Sequence, residues 1–331
     1  MSTIVVTPVR NEAWILDRFL SCVSLWADHI VVADQGSTDG SREIAARHAK
    51  VTLIDNPESE YDEGARQRLL LDAARNFSGR RVIFALDADE IPAAGWPESE
   101  AFARFAGAGP GTVGRMRWAN ILPGFERCWL PREEVVFGFV DDGAEHRGER
   151  IHSVRLPVAA AAPSVSPDAV TVLHYQYANW ERMKSKQRWY QGWELLNMPG
   201  KRPIQLYRQY HHMDAIRPER TEPLPQRWIA PYERAGIDMR SIPEEAHYPW
   251  DEEVLGWMRV YGARRFRKLD IWDVDWESVA HRAGLAAPDG GLADPRGYLT
   301  RAIHRWLRAS QDRHTRGRTR LAQRALIPFG W

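Results

Sequence analysis

The chain has 331 residues, room for a full α/β domain plus an extension, and its formal net charge of +1 gives no bulk attraction for nucleic acid. Only Cys22 and Cys128 occur, with no close Cys/His cluster, which argues against a disulfide framework or a zinc site and fits a reduced, intracellular setting. No apolar run approaches the roughly 18 residues of a membrane span, and the first strand begins at Ile4 without a signal-peptide pattern. A cytoplasmic protein, soluble or at most peripheral to the inner face of the membrane, is expected.

Ile4 to Pro8 reads as a short β-branched strand stopped by proline, and Arg10-Asn11-Glu12 as the turn into a helix. Ile15, Phe19, Leu20 and Val23 give that helix one apolar face. The next strand, His29 to Asp34, runs into DQGSTDGS, where Gly36 permits a tight turn and Ser37 or Thr38 is expected to cap a helix carrying Asp39, Ile44 and Ala45. Asp34 at such a strand end suits a ribose hydroxyl or a base N–H, though a plain capped turn reads equally well. Val51 to Asn56 forms a third strand and Glu63 to Arg75 a helix. Arg66 near the start of that helix opposes its dipole, which a shared anionic ligand would relieve and mere solvent exposure would tolerate.

Val82 to Leu86 is an apolar run of the kind buried on both sheet faces, and it leads into Asp87, Asp89 and Glu90. Ligands gather at the carboxyl ends of strands in open α/β sheets. Carboxylates at positions one and three there suit a hard divalent ion that also holds phosphate. Three β/α units before this strand predict a mainly parallel sheet with helices on both faces.

Further on, Glu98 to Phe105 reads as a helix, Thr112 to Trp118 and Val135 to Val140 as strands, and Asp141 to Glu145 as an acidic loop. Val170 to Leu173 is a strand ending at His174, either a surface residue or a further metal ligand. Trp180 to Leu196 is predicted helical, with Lys184 and Lys186 on it. Proline and charge density mark a linker at 218–225, followed by helices over 225–235, 251–268, 275–283 and 294–313. Asp294-Pro295 reads as a cap and first turn, with Leu299, Ile303, Trp306 and Leu307 on one face. The arginine-rich tail suits anionic lipid, solvent or another subunit, as in a homodimer. Fifteen tryptophans, most beyond residue 95, are available for core, interface or sugar stacking.

VTPVRNEAWILDRFL at 6–20, IVVADQGSTDGSREIA at 30–45 and ALDADEI at 85–91 resemble the successive signatures of the family-2 glycosyltransferases, whose donor-binding domain has the GT-A fold. GARQR at 64–68 and LHYQYANWERMKSKQRWY at 173–190 are similar to segments of bacterial lipooligosaccharide core glucosyltransferases. The resemblance covers residues 3–195 and implies a GT-A domain over 1–215, leaving a helical extension over 216–331. It implies metal-dependent, inverting transfer of a sugar from a nucleotide-sugar, a UDP-sugar by expectation, to a hydroxyl acceptor with Mn²⁺ or Mg²⁺.

By the same resemblance Pro8, Glu12 and Asp34 line the nucleoside pocket, Arg66 approaches base or phosphate, and Asp87 holds ribose or sugar. Asp89 binds the metal, His174 the metal or diphosphate, and Lys186 neutralises phosphate. Relatives often carry a His-Glu pair where this chain has His152-Ser153, so Asp142 and Glu145 are the expected proton acceptors, ahead of Asp141. Two other readings stand beside this one. A haloacid-dehalogenase-type phosphatase would use Asp87 as nucleophile with the later Asp141-Asp142 pair. A non-catalytic sugar-nucleotide binder would use the tryptophan-rich tail as its working surface.

Overall fold

The computed structural model describes residues 1–57, 60–165, 171–245, 247–287 and 291–331. The alternating units of the N-terminal half form β1 (Ser2–Val9), α1 (Ala13–Ser24), β2 (His29–Asp34), α2 (Ser41–Arg47), β3 (Val51–Asp55), α3 (Glu63–Arg75) and β4 (Arg81–Ala85). Strands β3, β2, β1 and β4 lie side by side and parallel, with Val9 opposite Asp34 and Val6 opposite Ala85. Their carboxyl ends therefore share one edge of the sheet.

The chain continues through β5 (Glu90–Pro92), α4 (Glu100–Gly107), β6 (Val113–Ile121), β7 (Arg127–Trp129), β8 (Glu134–Val140), β9 (Ser164–Val165) and β10 (Thr171–His174). β8 is antiparallel to β4, with Val140 opposite Val82, and β6 is antiparallel to β8. β10 runs parallel to β6 and antiparallel to β5, so His174 pairs with Glu90. Val170, expected to open β10, lies outside the described residues.

The central strands are buried on both faces, as their uninterrupted apolar character predicts. Val82 and Phe84 face a core shared with Ile15, Phe19 and Phe105, where Phe84 meets Trp26 and Trp96 edge-on at 5.4 and 4.9 Å. Ile83 and Ala85 face the opposite core with Leu70, Leu71 and Ala74 of α3. This is the expected α/β architecture of the GT-A class.

The chain divides into two compact units, residues 1–178 with 222–243, and residues 179–221 with 244–331. The boundary expected at 215/216 is not where they part. Segment 222–243, which contains α7 (Ala230–Arg234), belongs to the first unit: Tyr232 donates to the Pro92 carbonyl at 2.9 Å and Tyr175 to that of Met239 at 3.1 Å. Short β11 (Thr221–Pro223) joins the sheet beyond β7.

The second unit contains α5 (Trp180–Asn197), α6 (Pro203–Tyr210), α8 (Pro249–Tyr261), α9 (Trp276–Arg282), α10 (Tyr298–Ala309) and α11 (Gly317–Leu326). α8 stops short of the expected Lys268 because Gly262 turns the backbone to φ 76°. α10 starts at Tyr298 rather than Asp294, whose carboxylate instead takes Arg296 at 2.9 Å. Ile303 and Leu307 are buried with Tyr207 and Trp331, but Leu299, expected on that face, is exposed. Among the described residues no helix is long and apolar enough to cross a membrane.

The long connection after β8 runs back along α3, from Arg75 at its last turn to Glu63 at its first. Asp141 and the Ala144 carbonyl accept from Arg75, whereas the Glu63 and Gly64 N–H groups donate to the carbonyls of Arg150 and Glu149, each at 3.0 Å. Two otherwise orphan donors of the helix start are thus satisfied. The approach is backbone to backbone, for a Cβ on Gly148 would lie 2.6 Å from Gly64 Cα. Gly148→Ala is expected to cost about 1–3 kcal/mol through this overlap. Urea unfolding checks it, and a midpoint equal to the parent's would refute the close approach.

Candidate active site

The loops after β1 and β2 are laced together by side-chain bonds to backbone. Asn11, held at φ 57°, donates its N–H to Ser37 Oγ at 2.9 Å, and Thr38 N–H donates to Asn11 Oδ1 at 2.8 Å. Glu12 N–H reaches Ser41 Oγ and Ala13 N–H reaches Asp39 Oδ2, both at 2.9 Å. Ser37 is therefore committed to the neighbouring loop, and the cap position of α2 falls to Gly40 at φ 93° instead of Ser37 or Thr38. Asp39 precedes the helix and takes the Ser41 N–H at 3.0 Å.

Asp34, buried at the end of β2, accepts from Arg42 Nη1 at 2.8 Å and from Ser37 N–H at 3.2 Å through Oδ2. Its buried Oδ1 has no hydrogen-bond partner among the described residues. An acceptor in that state is costly unless a ligand donates to it. Glu12 accepts from its near neighbour Trp14 Nε1 at 2.6 Å. Arg66 stands in the first turn of α3, which Asp62 caps by accepting from Ala65 N–H, and its guanidinium lies 5.6 Å from the Tyr61 ring centre. Pro8 faces a small cleft that Gln67, Asp87 and Arg155 also line.

After β4 the chain reverses sharply. Glu90 N–H donates to the Asp87 carbonyl and Asp87 N–H to Glu90 Oε2, each at 2.9 Å. Tyr175 N–H then donates to the Asp89 carbonyl at 2.8 Å, pinning the acidic turn to β10. The outcome is that Asp89 Oδ2 and His174 Nε2, distant in sequence, lie 3.8 Å apart. Asn120 Oδ1 meets His174 Nδ1 at 2.7 Å, and Trp118 stacks on the ring at 5.4 Å. If Nδ1 carries the proton that Asn120 accepts, the Nε2 lone pair is left for Asp89's side of the site.

Glu90 is wholly buried and is an anchor rather than a ligand. It accepts from Trp118 Nε1 at 2.7 Å and from both terminal nitrogens of Arg155, whose Nη2 also donates to Asp87 Oδ2 at 3.0 Å. Burial raises the Glu90 pKa, opposed by the Arg155 charge and reinforced by Asp87. Burial likewise disfavours the charged form of Arg155, but Asp87, Glu90 and Asp89 outweigh it and raise its pKa. Arg155 went unrecognised in the sequence because it sits in an irregular segment with no periodic or motif signal.

Asp141 and Asp142 stand apart from the acidic turn. Because β8 is antiparallel to β4, the chain leaves it at the amino end of β4, opposite the acidic turn. Asp141 is held there by Arg75 at 3.0 Å and Arg81 at 2.8 Å. Burial opposes its charge, and the two arginines nonetheless hold its carboxyl below the usual range. Asp142 follows it, exposed and accepting from Ala144 N–H at 2.9 Å, so it does not join the acids at the carboxyl edge. The same geometry removes the phosphatase reading, which needs Asp141-Asp142 beside Asp87. Glu145 is exposed and pairs with Arg147 at 3.7 Å. Its neighbour His146 meets Gln67 Oε1 at 3.1 Å, with a pKa lowered by burial and by Arg68 and Arg75. Lys186 belongs to the second unit, where its ammonium lies 5.6 Å from the Trp250 ring centre.

Among the described residues no three His, Cys, Asp or Glu side chains form a ready metal shell. Asp89 and His174 supply two donors, a set suited to an ion that takes its other ligands from phosphate and water.

Residues 4–103 match the family model Glycosyl transferase family 2. That stretch contains Pro8, Glu12, Asp34, Arg66, Asp87 and Asp89, and the chain therefore carries a family-2 glycosyltransferase domain of the GT-A class. No curated protein matches the chain. Among solved structures, S. aureus TarS 1–349 is similar at 13% identity and TM-score 0.36, over 96% of this chain and 91% of that one. A 4-diphosphocytidyl-2C-methyl-D-erythritol synthase is similar at 12% identity and TM-score 0.29, over 37% of this chain and 62% of that one. A nucleotidyl transferase from Methanothermobacter thermautotroptrophicus is similar at 16% and 0.25, over 35% and again 62%. The chain thus spans less than two thirds of the last two proteins, and scores this low carry no inference about activity.

Arg155→Met leaves Glu90 buried without its counter-charge and is expected to cost about 3–5 kcal/mol near pH 8. Since the folded-state pKa of Glu90 is raised, its charge costs stability only above the unfolded value of about 4.3. The loss in the variant should therefore shrink as pH falls toward 5 and Glu90 takes up a proton. Urea titrations at the two pH values test this, and equal losses at both would contradict it.

Proposed function

We propose that this protein transfers a sugar from a nucleotide-activated donor, a UDP-sugar, to a hydroxyl acceptor with inversion at the anomeric carbon, assisted by Mn²⁺ or Mg²⁺. The observation that carries the reading is the meeting of Asp89 and His174 at 3.8 Å beside Asp87, at the carboxyl edge of a family-2 domain. In this reading the Asp34 carboxylate accepts from the base or ribose, and Pro8 and Glu12 wall the nucleoside. Asp87, steadied by Arg155, accepts from a ribose or sugar hydroxyl. Asp89 and His174 would hold the cation, which when bound neutralises charge on the departing diphosphate. Arg66 is assigned to base or phosphate. Placing these charges in advance of the reaction favours the transition state over the ground state.

Of the two expected bases, Asp142 is set aside by its place at the far edge. Glu145, beside His146 and its cleft-lining partner Gln67, takes the role of accepting the acceptor's proton. The C-terminal helix α11 has no buried residue, carries Arg318, Arg320 and Arg324, and leaves Leu321 exposed. That combination supports peripheral contact with an anionic lipid surface.

Asp89→Ala is expected to keep the fold, abolish turnover and weaken UDP binding in the presence of Mn²⁺ at least tenfold. Calorimetry decides, and wild-type affinity would refute the assignment. Glu145→Gln should slow release of UDP from the donor at least a hundredfold with UDP affinity unchanged, whereas Asp142→Asn should stay within about twofold of the parent, as expected of a side chain remote from the chemistry. Full activity in Glu145→Gln would remove the proposed base.

A further inference from the structure

The second unit contains a cavity of about 230 Å³ that the donor site does not use. One face of α5 supplies much of its wall, since Trp180, Lys184, Gln187, Arg188 and Gln191 recur there at helical spacing. Met213, Asp214, Asp270, Asp273 and Arg308 close it from the segments after α6, after α8 and from α10. We propose that this cavity is a binding subsite for a neutral saccharide, independent of the nucleotide-sugar site.

The inference starts from two amides. Gln187 and Gln191 are 6% and 1% exposed, line the cavity, and have Oε1 atoms with no hydrogen-bond donor among the described residues. Gln191 Nε2 is already engaged by the Gln187 carbonyl and by His211 Nε2, both at 3.3 Å. An occupant that donates hydrogen bonds to these oxygens would relieve them, for an unmet buried acceptor is costly.

Charge narrows its chemistry. With the lining His211 counted as neutral, three cationic residues, Lys184, Arg188 and Arg308, face three carboxylates, Asp214, Asp270 and Asp273, so the formal lining charge cancels. These charges are mutually paired: Asp273 with Arg188 at 3.3 Å and Lys184 at 3.8 Å, Asp214 and Asp270 with Arg308 at 3.6 and 3.4 Å. A phosphate would meet the lone pairs of the two amide oxygens, and a divalent cation would find its carboxylates already committed. A sugar ring answers every feature. Its hydroxyls both donate and accept, its size suits the volume, and its C–H face packs on Trp180 and Met213.

Saturation-transfer difference NMR tests this on the full chain with UDP and Mg²⁺ saturating the donor site. Methyl glycosides of glucose, galactose and mannose, with N-acetylglucosamine, are the probes, and glycerol and inorganic phosphate the controls. At least one saccharide is expected to bind, and at least tenfold more weakly in Gln191→Met and Trp180→Ala. Gln191→Met removes an unmet acceptor together with the two Nε2 contacts, so its Tm should stay close to the parent's, with UDP affinity unchanged. The proposal is overturned if no saccharide binds, if binding survives both substitutions, or if phosphate competes for the same residues. A lower Tm in Gln191→Met with undiminished saccharide binding would also overturn it, by making Gln191 a packing residue.

Discussion

A buried carboxylate sharing one guanidinium with its neighbour holds the candidate active site in shape. Glu90 lies in the core and cannot be solvated there, so its charge depends on Arg155 and on the Trp118 N–H. Arg155 also grips Asp87, and Glu90 closes the tight reversal by accepting from Asp87 N–H. The three groups thus fix the shape of the acidic turn. Asp87 is held where it is because Glu90, a carboxylate further along the same turn, is locked by the same guanidinium. Such a buried pair is weak evidence for net stability, but removing one partner is severe, so its role is to impose geometry.

Arg155 reaches that position only because the connection after β8 travels the whole length of α3. It begins where Asp141 meets Arg75 and Arg81, near the amino end of β4, and ends where Arg150 and Glu149 carbonyls receive the first N–H groups of the helix. Gly64 and Gly148 permit backbone contact along the way. Glu63 contributes as well, accepting from Ser153 N–H at 2.8 Å and from Tyr61 OH at 2.5 Å. One loop therefore joins the opposite edges of the sheet, and its two ends have unlike electrostatic duties. At the far edge a carboxylate is neutralised by arginines of helix and strand, and at the near edge an arginine is neutralised by the carboxylates of the acidic turn.

The second unit is organised by polar burial as much as by apolar packing. Arg188 on α5 makes a two-pronged contact with Asp251 of α8 at 2.7 and 2.8 Å and reaches Asp273 at 3.3 Å. Gly192 of α5 lies against Trp257, where a Cβ would come within 2.7 Å of the ring. In the same unit the Oε1 atoms of Gln187 and Gln191 have no donor among the described residues, and that is why a ligand with hydroxyl donors is proposed there.

What the sequence by itself determined is whatever adjacent residues encode. The apolar run at 82–86, the helical spacing through 63–75 and the period of 180–196 each reappear as β4, α3 and α5 within a residue or two, and the ordered motifs point to the GT-A class. Pairings across many residues were decided only by the tertiary structure. β8 returns antiparallel and carries Asp142 to the wrong edge for a base, Arg155 rises from an unpatterned loop, and α5 with segment 222–243 trade places between the units. Periodicity and capping are short-range effects, legible in a window of a dozen residues. Strand direction and the partner of a buried charge are set by long-range register and by desolvation, which no local window contains.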